Sequence, residues 1–184
     1  MSLIRRQFQV FIDRSLEDVF AFHADLKNHA RTSPPDQAEE VVAITPPGPL
    51  ALGTQVTFKA KHGSVRRTLE AVIVEWNPPH GFTDRQVKGP FSTWTHRHKF
   101  VAFQDGTLMT DQIEYEAPAG PLGALADKLW LGEHLDRFFN HRQAEAKRIL
   151  EQMGRIKGRQ EERRQRIEQA GDDILEGTGR PGLF

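Results

Sequence analysis

The chain has 184 residues, enough for one ordinary domain with a sizeable core and a tail, but not comfortably for a second full domain. Its 25 basic residues balance 25 acidic ones, so no global field recruits nucleic acid or an anionic membrane. Cysteine is absent, which removes disulfides, thiolate nucleophiles and zinc–thiolate sites. The opening MSLIRRQFQVF has no apolar run of signal-peptide length, and no stretch is apolar for long enough to span a bilayer. A cytoplasmic protein without integral membrane association is expected.

Phe8, Val10 and Ile12 alternate with their neighbours and predict a first strand from about Arg6 to Ile12. Asp13 or Ser15 offers an N-cap, Glu17 and Asp18 suit the first turn of a helix, and Leu16, Val19, Phe20 and His23 follow at helical spacing. A second short helix over Leu26 to Ala30 should end before Thr32-Ser33-Pro34-Pro35, since the residue preceding a proline is pushed out of the helical region. Sheet signals follow. Strands are predicted over Glu40 to Ile44, Thr54 to Ala60, Val65 to Trp76 and Gly81 to Lys88, separated by turn-rich segments such as Pro46-Pro47-Gly48-Pro49 and Asn77-Pro78-Pro79.

Gly89 to Tyr115 reads as two long antiparallel strands joined at Gln104-Asp105-Gly106, where the glycine is expected to take the positive φ of a tight hairpin. Alternation places Trp94, His96, His98 and Phe100 on one face of the first strand, and Met109, Asp111, Ile113 and Tyr115 on one face of the second. Both faces mix large apolar residues with polar ones, the composition of a small-molecule pocket. After Pro118 and Pro121 a long helix is predicted from about Leu122 to Met153, its apolar stripe running through Leu125, Leu129, Leu135, Phe138 or Phe139, Ala146 and Ile149, with Arg142 as an interruption. Beyond Gly154 the sequence GRQEERRQRIEQAGDD holds almost no apolar residues and is expected as a helical or disordered extension, with a glycine-rich end after Glu176. The domain division is therefore 1–153 and 154–184.

Several local patterns carry more than element order: Phe82-x-Asp84-x-Gln86, Gly89-Pro90-Phe91, Trp94-x-His96-x-His98-x-Phe100, Gly106-Thr107, and Met109-x-Asp111-x-Ile113-x-Tyr115 leading into Pro118-x-Gly120. With the N-terminal FQVFIDRSLEDVFAFHADLKNHA, they make the chain resemble the START/Bet v 1-like (SRPBCC, polyketide cyclase/dehydrase-like) superfamily, and within it a small bacterial ligand-binding branch, over roughly Ile4 to Met153. The resemblance implies an α+β helix-grip fold: a curved antiparallel sheet of about seven strands wrapped around a long C-terminal helix, with two short helices after the first strand. It implies a cavity lined by the inward faces of sheet and helix. It does not imply one reaction, since the superfamily includes carriers and aromatase/cyclases.

Two functional readings follow. In the first, the chain binds a small hydrophobic or amphipathic molecule, lipid-like, aromatic or polyketide-like, lined by Phe82, Asp84, Gln86, Trp94, His96, His98, Phe100, Met109, Asp111, Ile113 and Tyr115. In the second, it is a cofactor-free cyclase or dehydratase in which His96 or His98 with Asp111, or Asp84 with His96, moves a proton. A divalent metal on His96, His98 and Asp111 would suit the same spacing, but no glutamate or third histidine is clearly placed on that face; neither metal nor cofactor is assigned. Gln86, Lys88 and Tyr115 are candidates to orient a polar head, and Arg142 is read as pairing with an acid or reaching the surface. The arginines after residue 154 alternate with Glu161, Glu162 and Glu168, the pattern of a solvated face and not of a nucleic-acid site. Pairing of two chains through the tail is left open, and the Pro46 to Leu52 and Ala117 to Gly123 segments are the candidates to open the cavity.

Overall fold

The computed structural model describes residues 3–37, 39–62, 65–117 and 130–177. Two compact units are distinguished, residues 1–150 and 151–184. In the first, strand β1 (Ile4–Ile12) is followed by helices α1 (Leu16–Ala24) and α2 (Lys27–Thr32), then strands β2 (Glu40–Thr45), β3 (Gln55–His62), β4 (Val65–Asn77), β5 (Gly81–Lys88), β6 (Thr93–Phe103) and β7 (Gly106–Glu116), and by the start of helix α3 (Gly132–Gly177). The strands form one antiparallel sheet in the order β1-β7-β6-β5-β4-β3-β2, so β1 closes onto β7 and the edges of the sheet are β1 and β2.

The local reasons for these elements are legible. Ser15 caps α1, its hydroxyl accepting from the Asp18 amide, and the acids of the first turn complement the helix dipole. Helix α2 runs two residues past the expected Ala30, with the Thr32 hydroxyl donating to the carbonyls of Asn28 and His29, and it stops at Ser33, directly before Pro34. At the β6–β7 hairpin Phe103 pairs with Gly106, and the positive φ of 51° falls on Gln104 and not on Gly106. The need for Gly106 has a different cause: a Cβ there would sit 2.4 Å from the Ile12 carbonyl oxygen, so glycine is what lets β1 approach the turn.

Trp94, His96, His98 and Phe100 all point inward, as do Met109, Asp111, Ile113 and Tyr115 on the partner strand. Two apolar clusters form around them. One joins Ile12, Val19, Phe22, Phe82, Phe100 and Met109 to Ala146, Ile149 and Leu150 of α3; the other joins Phe8, Trp94, Ile113 and Tyr115 to Leu135 and Phe139. Phe139 stacks on Phe8 with ring centroids 5.2 Å apart and lies 6.3 Å from Trp94. Between the two clusters along β6 sit the two histidines.

The stretch 122–129, expected as the first turns of the long helix and carrying Leu125 and Leu129, lies outside the described residues. Helix α3 continues past the expected end at Met153 as far as Gly177. Taken by itself, the second unit is a polar helix on which Met153, Ile156 and Ile167 are exposed; its glutamates, glutamines and arginines are good helix formers, which offsets the cost of Gly154 and Gly158.

Gly81 opens β5 with φ of 151°, and a Cβ at this position would lie 2.1 Å from the carbonyl oxygen of His98. Gly81→Ala is expected to destabilise the first unit by about 2 kcal/mol or more, because both the dihedral and the β5–β6 spacing must give way. Urea unfolding followed by tryptophan fluorescence checks this; a loss below about 0.5 kcal/mol would show that the strands separate freely there.

Candidate functional site

The β-ladder brings four ionisable groups together. Asp84 of β5 is directly opposite His96 of β6, and His98 is directly opposite Asp111 of β7. Since His96 and His98 are two residues apart on one face, each carboxylate also reaches the diagonal imidazole. His96 Nε2 lies 2.8 Å and His98 Nδ1 3.0 Å from the same oxygen, Asp111 Oδ1. The other Asp111 oxygen accepts from Gln143 Nε2 of α3 at 2.8 Å. On the far side of the rings, Asp84 Oδ2 stands 3.6 Å from His96 Nδ1 and 3.7 Å from His98 Nε2. The rings pack with centroids 3.9 Å apart, and Phe82 stacks on His98 at 4.3 Å.

Burial by itself would raise the Asp111 carboxyl, yet its bonds to the two imidazoles hold it well below the usual carboxylate range. Burial and the neighbouring His98 push His96 down. Burial opposes the charged form of His98 too, but its contacts with Asp111 and Asp84 outweigh it and raise the imidazole above its ordinary value.

This cluster forms one wall of a cavity of about 80 Å³. Much of the remaining wall is apolar, with Val56, Phe58, Ala71, Ile73 and Phe82 of the sheet, Phe22 of α1 and Phe138 and Phe139 of α3. A second polar group lies elsewhere on the lining: Arg142 Nη1 donates to His29 Nε2 at 2.8 Å, lies 3.4 Å from Glu39 Oε2, and its guanidinium sits 5.4 Å from the Phe138 ring centroid. Arg142 thus interrupts the apolar stripe in order to pair with an acid, and does so on the cavity lining. Burial is the main reason that Glu39 is raised and that His29 is held well below its ordinary value. His23 also lines the cavity, with Nε2 buried and without a hydrogen-bond partner, and burial pushes it down to about 3.

Of the residues singled out from the sequence, Phe82, Asp84, Trp94, His96 and His98 line the cavity. Asp111 lies behind the imidazoles. Phe100, Met109 and Ile113 are core, and Tyr115 is fully buried with its hydroxyl accepting from Arg6 Nε at 3.1 Å. Gln86 spends its side chain on the backbone of Phe91, bonding both its carbonyl oxygen and its amide. His134 stacks on the exposed Trp130, away from the cavity lining. Sequence reasoning passed over Gln143, His29 and Glu39. Gln143 carried a usable signal, because it falls four residues after Phe139 and three before Ala146, on the apolar stripe itself. No spacing rule reaches His29 and Glu39, which meet Arg142 only through the tertiary fold.

Residues 5–148 match the family described as polyketide cyclase/dehydrase and lipid transport. The chain belongs to that family. No curated protein matches it in sequence. Among solved structures it is similar to TTHA0849 from Thermus thermophilus, with TM-score 0.61 and 17% identity over 78% of this chain and 97% of that one. It is also similar to the ZhuI aromatase/cyclase from Streptomyces sp. R1128, with TM-score 0.66 and 13% identity over 82% and 94%, and to Ara h 8.0201, with TM-score 0.59 and 11% identity over 81% and 98%. At these identities the likeness is one of fold: the helix grip. Among the described residues no helix is long and apolar enough to cross a membrane.

Two outcomes follow from the buried polar groups. Asp111→Ala leaves two buried imidazoles without their shared carboxylate and is expected to cost roughly 3 kcal/mol in urea unfolding, whereas Asp111→Asn should cost less; equal and small losses would show that the cluster does not hold the sheet. His29 is neutral in the fold, while the unfolded chain takes up a proton below about 6.5. Its folded-state value is depressed, so its contribution is present above that pH and is lost as pH falls, at about 1.4 kcal/mol per pH unit. His29→Gln should therefore flatten the acid limb of stability against pH between about pH 6 and pH 4 by that slope, and parallel limbs would count against a buried neutral imidazole.

Proposed function

We propose that the first unit binds a small hydrophobic or amphipathic molecule in this cavity, its apolar body against Phe22, Phe58, Phe82 and Phe139 and its polar atoms toward His96, His98 and Asp84. The observation that carries the reading is the division of the lining: mostly apolar walls with a few convergent polar groups, the chemistry of a small-molecule site. At about 80 Å³ the space is well below the roughly 300–1,000 Å³ of sites for drug-sized ligands. A lipid-like or polyketide-sized ligand therefore requires the walls to move apart, whereas a single-ring or short-chain molecule needs much less. The cytoplasmic setting expected from the sequence is part of the same proposal.

The family and the aromatase/cyclase relatives favour a second reading, in which the bound molecule is transformed by cyclisation or dehydration. The two readings separate in one substitution. In a carrier the folded His96→Ala variant shows a shifted affinity and there is no turnover to lose; in an enzyme it removes turnover and leaves binding largely intact.

Native mass spectrometry of the purified chain, followed by denaturing extraction, is expected to release a discrete organic molecule. Ala71→Leu, which extends a wall side chain into the cavity, should reduce its occupancy about tenfold, close to 1.4 kcal/mol, without unfolding the protein. If the chain is bare and also fails to bind 1-anilinonaphthalene-8-sulfonate in an Ala71-dependent manner, the cavity is not a ligand site.

A further inference from the structure

His96 and His98 turn one nitrogen each toward Asp111 and the other toward Asp84. A neutral imidazole carries one N–H and one lone pair. His96 Nε2 is hydrogen-bonded to Asp111 Oδ1 and His98 Nδ1 lies 3.0 Å from the same oxygen off the hydrogen-bond axis, so a neutral tautomer with its N–H toward Asp111 turns a lone pair toward Asp84 on each ring. In that tautomer the two opposite nitrogens and the Asp84 oxygen converge as three metal-ligating atoms, and a cation there would take the place of any proton the rings hold on that side. Such an arrangement suits a cation at its centre.

We propose that Asp84, His96 and His98 bind one divalent transition-metal ion at the cavity wall, with Asp111 orienting both imidazoles from behind. The proposal takes the cavity as the ligand site and adds a metal to it. Asp84 Oδ2 lies 3.6 Å and 3.7 Å from the two facing nitrogens, too far for hydrogen bonds, and the three prospective ligand atoms lie within 4.8 Å of one another. Two atoms bound at ~2.1 Å to one ion stand roughly 3.0 Å apart at a right angle and roughly 3.4 Å apart at a tetrahedral one, so the site closes on an ion when the Asp84 carboxylate and the two rings draw together.

Three further features fit. A ligating imidazole ordinarily donates its other N–H to a carboxylate, and here one carboxylate serves both rings while Gln143 holds that carboxylate in turn. Asp84, His96 and His98 all line the cavity, which leaves coordination positions open for water or for a carbonyl or hydroxyl oxygen of the bound molecule. His23, with its Nε2 buried and unpartnered, lines the same space and can accept a hydrogen bond from a coordinated water. Two imidazoles and one carboxylate suit Zn²⁺, Fe²⁺, Co²⁺ or Mn²⁺, and not Ca²⁺ or Mg²⁺, which prefer oxygen alone. The sequence pattern suggests Asp111 for the third ligand position; the geometry points to Asp84 there.

The test is titration of the chelator-treated full chain with Zn²⁺ by calorimetry and with Co²⁺ by visible absorption. One ion per chain is expected, with Co²⁺ bands of a nitrogen–oxygen site. Asp84→Asn, nearly isosteric, should weaken binding at least tenfold, Asp111→Asn about 10–100-fold, and His98→Ala should abolish the Co²⁺ spectrum, whereas His141→Ala should change nothing. Circular dichroism confirms that each variant is folded. Substoichiometric binding, or binding unaffected by Asp84→Asn, would overturn the site. The outcome is distinct from that of the cavity reading: a chain that releases an organic molecule yet binds no Zn²⁺ defeats the metal and spares the cavity, and one that binds Zn²⁺ through Asp84 but holds no organic molecule does the reverse.

Discussion

The structure depends on a single carboxylate. Asp111 is almost wholly buried in the middle of the sheet and accepts from His96 and Gln143 while lying against His98. An unpaired carboxylate in that position would cost several kcal/mol, so the strands and helix that surround it must arrive in one register to satisfy it. A slip of one residue between β6 and β7 would turn both histidines to the opposite face and leave the acid alone. The polar cluster therefore ties the register of the sheet to the position of α3.

The same cluster separates two apolar cores. Along β6 the order Trp94, His96, His98, Phe100 runs from one core through the polar centre into the other. Phe139 and Ala146 of α3 bracket Gln143 in the same way. Apolar packing on both sides keeps water from Asp111, which strengthens every hydrogen bond it accepts. The opposite faces of the rings border the cavity, so the two imidazoles are fixed from behind and approachable from the front. That combination of fixed rings and an accessible front is what a binding or reacting site requires.

Arg142 and its partners form a second polar group on the lining. Arg142, His29 and Glu39 come from α3, α2 and the segment before β2, and they neutralise one another locally. A ligand that reaches them competes with an existing ion pair, whereas one that reaches Asp84, His96 and His98 meets groups not already bonded to one another across that face. The cavity is thus polarised, with the histidine cluster as its more available end.

Alternation along β6 and β7, read from the sequence by itself, determined which residues share the inward face, because side chains on a strand have a strict period of two. The turn residues and the residue before Pro34 likewise marked the ends of elements, since those constraints are local. The partnership of Asp111 with Gln143, the meeting of Arg142 with His29 and Glu39, and the placement of Asp84 on the cavity side of the rings with Asp111 behind them were decided only by the tertiary structure. Each joins elements far apart in the chain, where cross-strand register and the seating of α3 set the distances. The hairpin shows the same division on a small scale: the Asp-Gly turn was legible, but Gly106 is required by the approach of β1, a contact that no local rule contains.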